Sequence, residues 1–315
     1  MLEITSLCRM AYRAAPEPVR VRLLSRQPPG IETFTVELPD GHRARFWGLE
    51  EADFLKRLFW LGFEGCLPEF TRVYLALAQR ASVVLDLGSY LGYYSLLAAV
   101  TNSSAEVYSV EPLPDSNAYQ HRLVQINGVE NFHHCPVGVS EKSGHVPFFI
   151  PDRSLSRIPN VGSLVNRFGP GTHYSDRDSI SIEVETLTLD DLVDRFEIGP
   201  IDLIKFYIEE VETEVITAGI DVLRRWTPDL VGWVFYRDDS VERLGQALAE
   251  LGYAFYAFRG QELVPCPVLA DAKRLADVFN PDRGGRSAVF MTTRPEERIN
   301  QIASHVPGIL SNEGR

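Results

Sequence analysis

Downstream of residue 82 the chain alternates between two patterns. Short, mainly apolar runs, the length of covered strands, are followed by stretches whose apolar residues return every three or four positions. The runs fall at residues 82–87, 106–110, 132–139, 201–207, 230–236, 254–258 and 288–293. Helical spacing fills residues 93–100 and 115–126, the second stopped by Asn127-Gly128. A further helix follows Asp239, which is placed to cap it, with Glu242 completing a capping box. Val241, Leu244, Leu248 and Leu251 make its apolar stripe, and Gly252 ends it. Strands alternating with helices predict an α/β fold, a doubly wound and mostly parallel sheet covered on both faces.

Residues 1–80 follow another pattern and read as an N-terminal extension. Residues 33–38 alternate, break at Pro39-Asp40-Gly41 and resume over 43–47, a hairpin with Asp-Gly at its turn. Residues 51–61 and 68–80 carry amphipathic helical spacing, with Phe70, Val73, Leu77 and Ala78 on one face of the second. The core domain is predicted over 81–295 and a C-terminal tail over 296–315. An insertion, 145–185, interrupts the domain and holds two strand-like runs at 146–150 and 180–184. Its polar part, 151–179, with Gly169-Pro170-Gly171, fits a substrate lid or a surface loop equally well.

Composition narrows the partners. With 45% apolar and 23% charged residues the chain can bury a sizeable core. A net charge of −12 repels phosphate backbones, which argues against nucleic acid. Cys8, Cys66, Cys135 and Cys266 form no CxxC pair, so a reducing compartment fits and a metal knuckle does not. Charges interrupt the first residues every few positions, and no apolar run reaches membrane-spanning length. The expectation is a soluble cytoplasmic protein with no membrane partner, its homo-oligomeric state left open.

The chemistry concentrates after the first core strand. Asp86-Leu87-Gly88-Ser89-Tyr90-Leu91-Gly92 ends that strand and opens a helix. Glycine there lets backbone approach a ligand, and the helix start offers free N–H groups. The G-x-x-x-G spacing lacks the G-x-G-x-x-G dinucleotide fingerprint, which ranks a nicotinamide enzyme last. Glu111 closes the next strand, 25 positions after Asp86, where an acid accepts hydrogen bonds from ribose hydroxyls. Turn and acid together point to a nucleoside ligand.

Several blocks in register resemble the FkbM-type methyltransferases. Val84 to Ser95 resembles their opening motif, Val110-Glu111-Pro112 with Asn127-Gly128 their second block, and Val137-Gly138-Val139-Ser140 with Ser143-Gly144 their third. Glu185 to Leu192 is similar to the stretch before their fourth strand, and Ile201-Asp202-Leu203-Ile204-Lys205 leads into it. The likeness spans roughly residues 80–260. It implies a class I methyltransferase fold with an antiparallel final pair of strands, S-adenosylmethionine as cofactor, and O-methylation of a small-molecule hydroxyl on a sugar or polyketide. Asp86, Gly88, Ser89, Tyr90 and Gly92 match the cofactor loop, Glu111 and Pro112 the ribose side, and Val137-Gly138 the adenine cover.

The departures are as specific. The family's Asn in the first loop is Tyr90 here; its Asp and Gly of the fourth block are Tyr207 and Glu210; and Trp233 stands where an acid commonly follows the fifth strand's start. Lys205, Glu209 and Glu212 match. The three rings either cage a sulfonium cation, fill the crevice and impair transfer, or belong to the core. A non-catalytic binding or scaffold protein on the same fold is the rival reading. For catalysis, Glu209 is the candidate base and Lys205 an orienting or electrostatic group, both at the end of the fourth strand. His133-His134 points to opposite strand faces, so no metal site is expected. Asp190-Asp191 reads as a helix start, and Arg224-Arg225 and Arg283-Gly284-Gly285-Arg286 as solvated surface.

Overall fold

The computed structural model describes residues 4–24, 26, 28, 30–152, 157–159, 162–166, 168, 178–236, 239–275 and 285–310. Gly169-Pro170-Gly171 and Arg283-Gly284 lie outside the described residues.

The extension comprises α1 (Ile4–Ala14), α2 (Glu17–Leu24), β1 (Thr33–Glu37), β2 (Arg43–Trp47), α3 (Asp53–Leu61) and α4 (Pro68–Ala78). β1 and β2 form the antiparallel hairpin expected from Asp40-Gly41. One face of it, Phe34, Val36, Ala44 and Phe46, is buried. The core domain then runs β3 (Val83–Leu87), α5 (Tyr93–Thr101), β4 (Glu106–Val110), α6 (Pro114–Asn127), β5 (Phe132–Cys135) and β6 (Gly138–Val139). The insertion supplies β7 (Gly144–Pro151) and β8 (Ser179–Leu187). After it come α7 (Leu189–Arg195), β9 (Leu203–Phe206), α8 (Glu212–Ala218), α9 (Ile220–Trp226), β10 (Asp229–Phe235), α10 (Ser240–Glu250), β11 (Ala254–Arg259) and β12 (Glu262–Cys266). The last elements are α11 (Ala272–Leu275), β13 (Arg286–Thr292) and α12 (Pro295–His305).

Eight strands make the central sheet in the order β12-β11-β13-β10-β9-β3-β4-β5. β5, β4, β3, β9 and β10 are parallel. β13 runs antiparallel between β10 and β11, so it lies inside the sheet, and the edge is the β11–β12 hairpin. β9 and β10 are buried throughout, as strands covered on both faces must be. Apart from the added edge strand β12, this topology, parallel with one inserted antiparallel strand, is the class I methyltransferase arrangement. The chain leaves β3 toward β4 on one side, while β9 joins β3 on the other. That reversal is a topological switch point, and a crevice opens at the carboxyl ends of the strands flanking it.

Three local readings change. Residues 132–139 are two strands in different sheets: Pro136 has no N–H to give a ladder, the Val137 N–H bonds back to Cys135 at 2.8 Å, and β6 pairs with β8 instead. The capping box at Asp239 does not form, because the Asp239 carboxylate pairs with Arg243 and caps nothing. The first half of the supposed tail is α12, packed on α4 through a Gln301 side-chain hydrogen bond to the Ala76 carbonyl and tied to β10 by the buried Arg298–Asp229 pair. Thr188, just ahead of Asp190-Asp191, caps α7 by accepting from the Asp191 N–H. No helix among the described residues is long and apolar enough to cross a membrane.

Candidate active site

The turn after β3 is built by close packing. Gly88 has φ +71°, and a Cβ there would lie 2.1 Å from the Tyr207 carbonyl oxygen. The loop after β9 therefore rests directly on the glycine turn. Lys205, on β9, locks the two together: its Nζ is 2.9 Å from Asp86 Oδ1, 3.0 Å from the Gly88 carbonyl and 3.4 Å from the Leu87 carbonyl. An ammonium has three donors, and three acceptors surround this one. The other Asp86 oxygen accepts from the Ser95 N–H and hydroxyl, which fixes the start of α5. Burying this pair costs desolvation of both charges, so breaking it from one side would leave a buried charge uncompensated.

Glu111 stands across the turn. Its carboxylate accepts from the Tyr90 N–H at 2.9 Å and from the Leu113 N–H at 3.0 Å. Burial pushes its pKa up to about 7, against the pull of those two N–H groups. A carboxylate has about four acceptor positions, so Glu111 retains capacity for further donors.

A cavity of about 240 Å³ opens between these parts. Gly88, Ser89, Tyr90, Glu111, Pro112, Val137, Gly138, Lys205 and Glu209 all line it. Asp86 and Gly92 do not; they stand behind the wall, Asp86 fully buried beneath Lys205. Tyr207 lines the cavity, whereas Trp233, 3% exposed, is buried against Phe70 and Tyr207 and belongs to the core. Glu210 is absent from the lining, and its N–H is held by Glu212.

The loop after β9 is strained and clamped. Glu209 and Glu210 sit at φ +55° and +84°, and Tyr90, opposite them, at +52°. Non-glycine residues in this region are uncommon and collect at functional sites. Glu212 holds the loop, one oxygen accepting from the Ile208 N–H at 2.9 Å and the other from the Glu210 N–H at 2.8 Å. Burial, with Glu209 close by, raises the Glu212 pKa to about 8.

Parts of the insertion and the extension complete the walls. The Tyr90 hydroxyl donates to the Ile158 carbonyl at 2.7 Å, the Ile158 N–H donates to the Glu51 carbonyl at 3.0 Å, and the Ser163 hydroxyl donates to the Glu209 carbonyl at 2.6 Å. Phe54 and Leu67 from the extension and Phe148 and Leu164 from the insertion add apolar surface. Sequence reasoning did not name these, because local patterning marks them as ordinary apolar positions. It also read Arg286 as solvated; the structure packs its guanidinium over Tyr207, Trp233 and Phe235. Among the described residues no group of three or more His, Cys, Asp or Glu is arranged to hold a metal ion.

No curated protein matches the chain. Among solved structures, the methyltransferase FkbM from Methylobacillus flagellatus KT is similar over 76% of this chain and 55% of that one, at 14% identity and TM-score 0.41. This chain thus spans little more than half of that protein. A SAM-dependent methyltransferase from Agrobacterium tumefaciens is similar over 85% of this chain and 72% of its own, at 14% identity and TM-score 0.40. An O-methyltransferase from Bacillus cereus, solved in complex with SAH, is similar over 71% and 79%, at 11% identity and TM-score 0.37. The profile of the methyltransferase FkbM domain matches residues 86–255, from the acid beneath the glycine turn to β11 and hence across every strand that walls the cavity; the chain belongs to that family.

Proposed function

We propose that the chain transfers the methyl group of S-adenosylmethionine to a hydroxyl of an apolar small molecule. The observation that carries this reading is one cavity with two carboxylates on its wall, Glu111 and Glu209, and otherwise mostly apolar sides. The residues present fit the cofactor: Glu111 is buried with acceptor capacity left, as a ribose diol requires, and Val137 and Gly138 stand beside it where a flat base would lie. S-adenosylmethionine supplies a methyl carbon activated by a positively charged sulfur.

The chain's own residues would do the rest. Glu111 binds the ribose hydroxyls. The backbone of Gly88 and Ser89 borders the cofactor, held in place by Lys205. Glu209 accepts the acceptor's hydroxyl proton as that oxygen turns nucleophilic. Lys205, ion-paired with Asp86 and bonded to two backbone carbonyls, contributes position and positive charge and moves no proton. Phe54, Leu67, Phe148 and Leu164 exclude water and favour an apolar acceptor over a bare sugar.

Titration calorimetry with S-adenosylhomocysteine tests the cofactor part. Wild-type chain should bind it, and Glu111→Gln should weaken binding by about tenfold or more, the worth of a hydrogen bond to a charged group. No binding at millimolar ligand defeats the reading. Binding without methyl transfer to any apolar alcohol or phenol would support a binding protein instead.

A further inference from the structure

Arg286 opens β13, cross-strand from Phe235 of β10. Its guanidinium carbon lies 5.1 Å from the ring centre of Tyr207, 5.3 Å from that of Trp233 and 5.4 Å from that of Phe235. Trp233 and Phe235 are two positions apart and so share one face of β10; Tyr207 reaches over from the end of β9. Arg286 Nη1 is 3.7 Å from Glu209 Oε2, with side-chain exposures of 20% and 11%. Its Nε is buried without a hydrogen-bond partner. A guanidinium is the cation suited to such a place, being planar, weakly hydrated and attracted by ring faces. At that separation the contact with Glu209 is an ion pair without a tight hydrogen bond. The rings hold the arginine, and the arginine holds the carboxylate's charge.

We propose that Arg286 is an internal cation filling the aromatic cage of Tyr207, Trp233 and Phe235, and a positioning residue for the Glu209 carboxylate at the cavity wall. Tyr207 and Trp233, two of the aromatic departures from the family pattern, then serve the protein's own cation and leave no cage for a sulfonium. Arg286 lies beyond the segment matched to the family. The consequence for chemistry rests on the proposed methyl transfer; the cage and the ion pair do not.

Two measurements on the full chain test it. The first needs no ligand: urea midpoints of Arg286→Met, Glu209→Gln and the double variant. The double variant should lose clearly less than the two single losses combined, because either single change already removes the Arg286–Glu209 interaction. Additive losses overturn the pair. Should Arg286→Met fail to fold, Arg286→Lys keeps the charge without the plane. It should keep coupling to Glu209→Gln while shifting the emission of Trp233, identified against Trp233→Phe. An unshifted emission overturns the cage. The second measurement is the ratio of affinities for S-adenosylmethionine and S-adenosylhomocysteine by calorimetry. Emptying the cage and uncovering Glu209 should move that ratio about three- to fivefold toward the sulfonium. An unchanged ratio in Arg286→Met, or a ratio lowered by Tyr207→Leu alone, overturns the proposal. If neither ligand binds wild-type chain, the cofactor reading falls and the ligand-free cycle decides the pair by itself.

Discussion

Replacing Gly88 by alanine separates a glycine required by the protein from one required by a ligand. Two costs arise in the unliganded chain. An L-residue at φ +71° is strained by about 1–2 kcal/mol, partly offset by the alanine chain's lower entropy when unfolded, about 0.4–1 kcal/mol. The added Cβ would also sit 2.1 Å from the Tyr207 carbonyl oxygen and 2.9 Å from Ile208 Cγ2. Ordinary carbon–oxygen contacts are about 3.3 Å, so backbone must shift by about 1 Å, at an overpacking cost of about 1–3 kcal/mol. The expected loss is about 2–4 kcal/mol. Gly128 is the control: its φ is +64°, yet nothing lies within 4 Å of its would-be Cβ. Gly128→Ala should lose no more than about 1.6 kcal/mol, the strain less the entropic offset. Urea unfolding with linear extrapolation measures both. Equal losses would refute the packing argument. A Gly88→Ala chain of normal stability with weakened S-adenosylhomocysteine binding would assign the glycine to the ligand.

Other outcomes follow from the same contacts. Lys205→Met should cost about 3–5 kcal/mol by leaving Asp86 buried without its partner, and adding Asp86→Asn should recover part of it; an equal or larger loss in the double variant would contradict the pair. Tyr90→Phe removes the 2.7 Å bond to the Ile158 carbonyl, about 1 kcal/mol, and should speed amide exchange at Ile158 and Ser163; unchanged exchange would show that the tyrosine does not tie the insertion down. Glu111 ionises near 4.5 when unfolded but near 7 when folded, because burial disfavours its charge. Between those values the unfolded chain has released the proton that the folded chain keeps, so stability should fall as pH rises through that window, its full contribution being present below it. Glu111→Gln should flatten that fall, leaving the part due to Glu212; an unaltered pH slope would mean that Glu111 is already charged in the fold.

The legible parts are those encoded over a few neighbouring positions. Short, mainly apolar runs marked the parallel strands, because a strand covered on both faces has little solvent side to display. Asp40-Gly41 marked the hairpin turn, and Gly88 with Glu111 marked the crevice, because strand ends in an open α/β sheet converge on one side. Pro136, within an apolar run, was the available signal that one strand was two.

Other features were settled only when the sheet assembled. Lys205 reaches Asp86 because β9 and β3 pair in a register that sets these two residues side by side, although they are far apart in the chain. Arg286 reads as solvated beside glycines, and only the antiparallel insertion of β13 against β10 brings it under three rings. Trp233 reads as either a crevice or a core residue until the same packing encloses it. The sequence by itself determined the alternation of elements and the turn chemistry, since local spacing records whether a position is buried. The tertiary structure decided which buried charge meets which, since that depends on strand order and register, which spacing along the chain does not record.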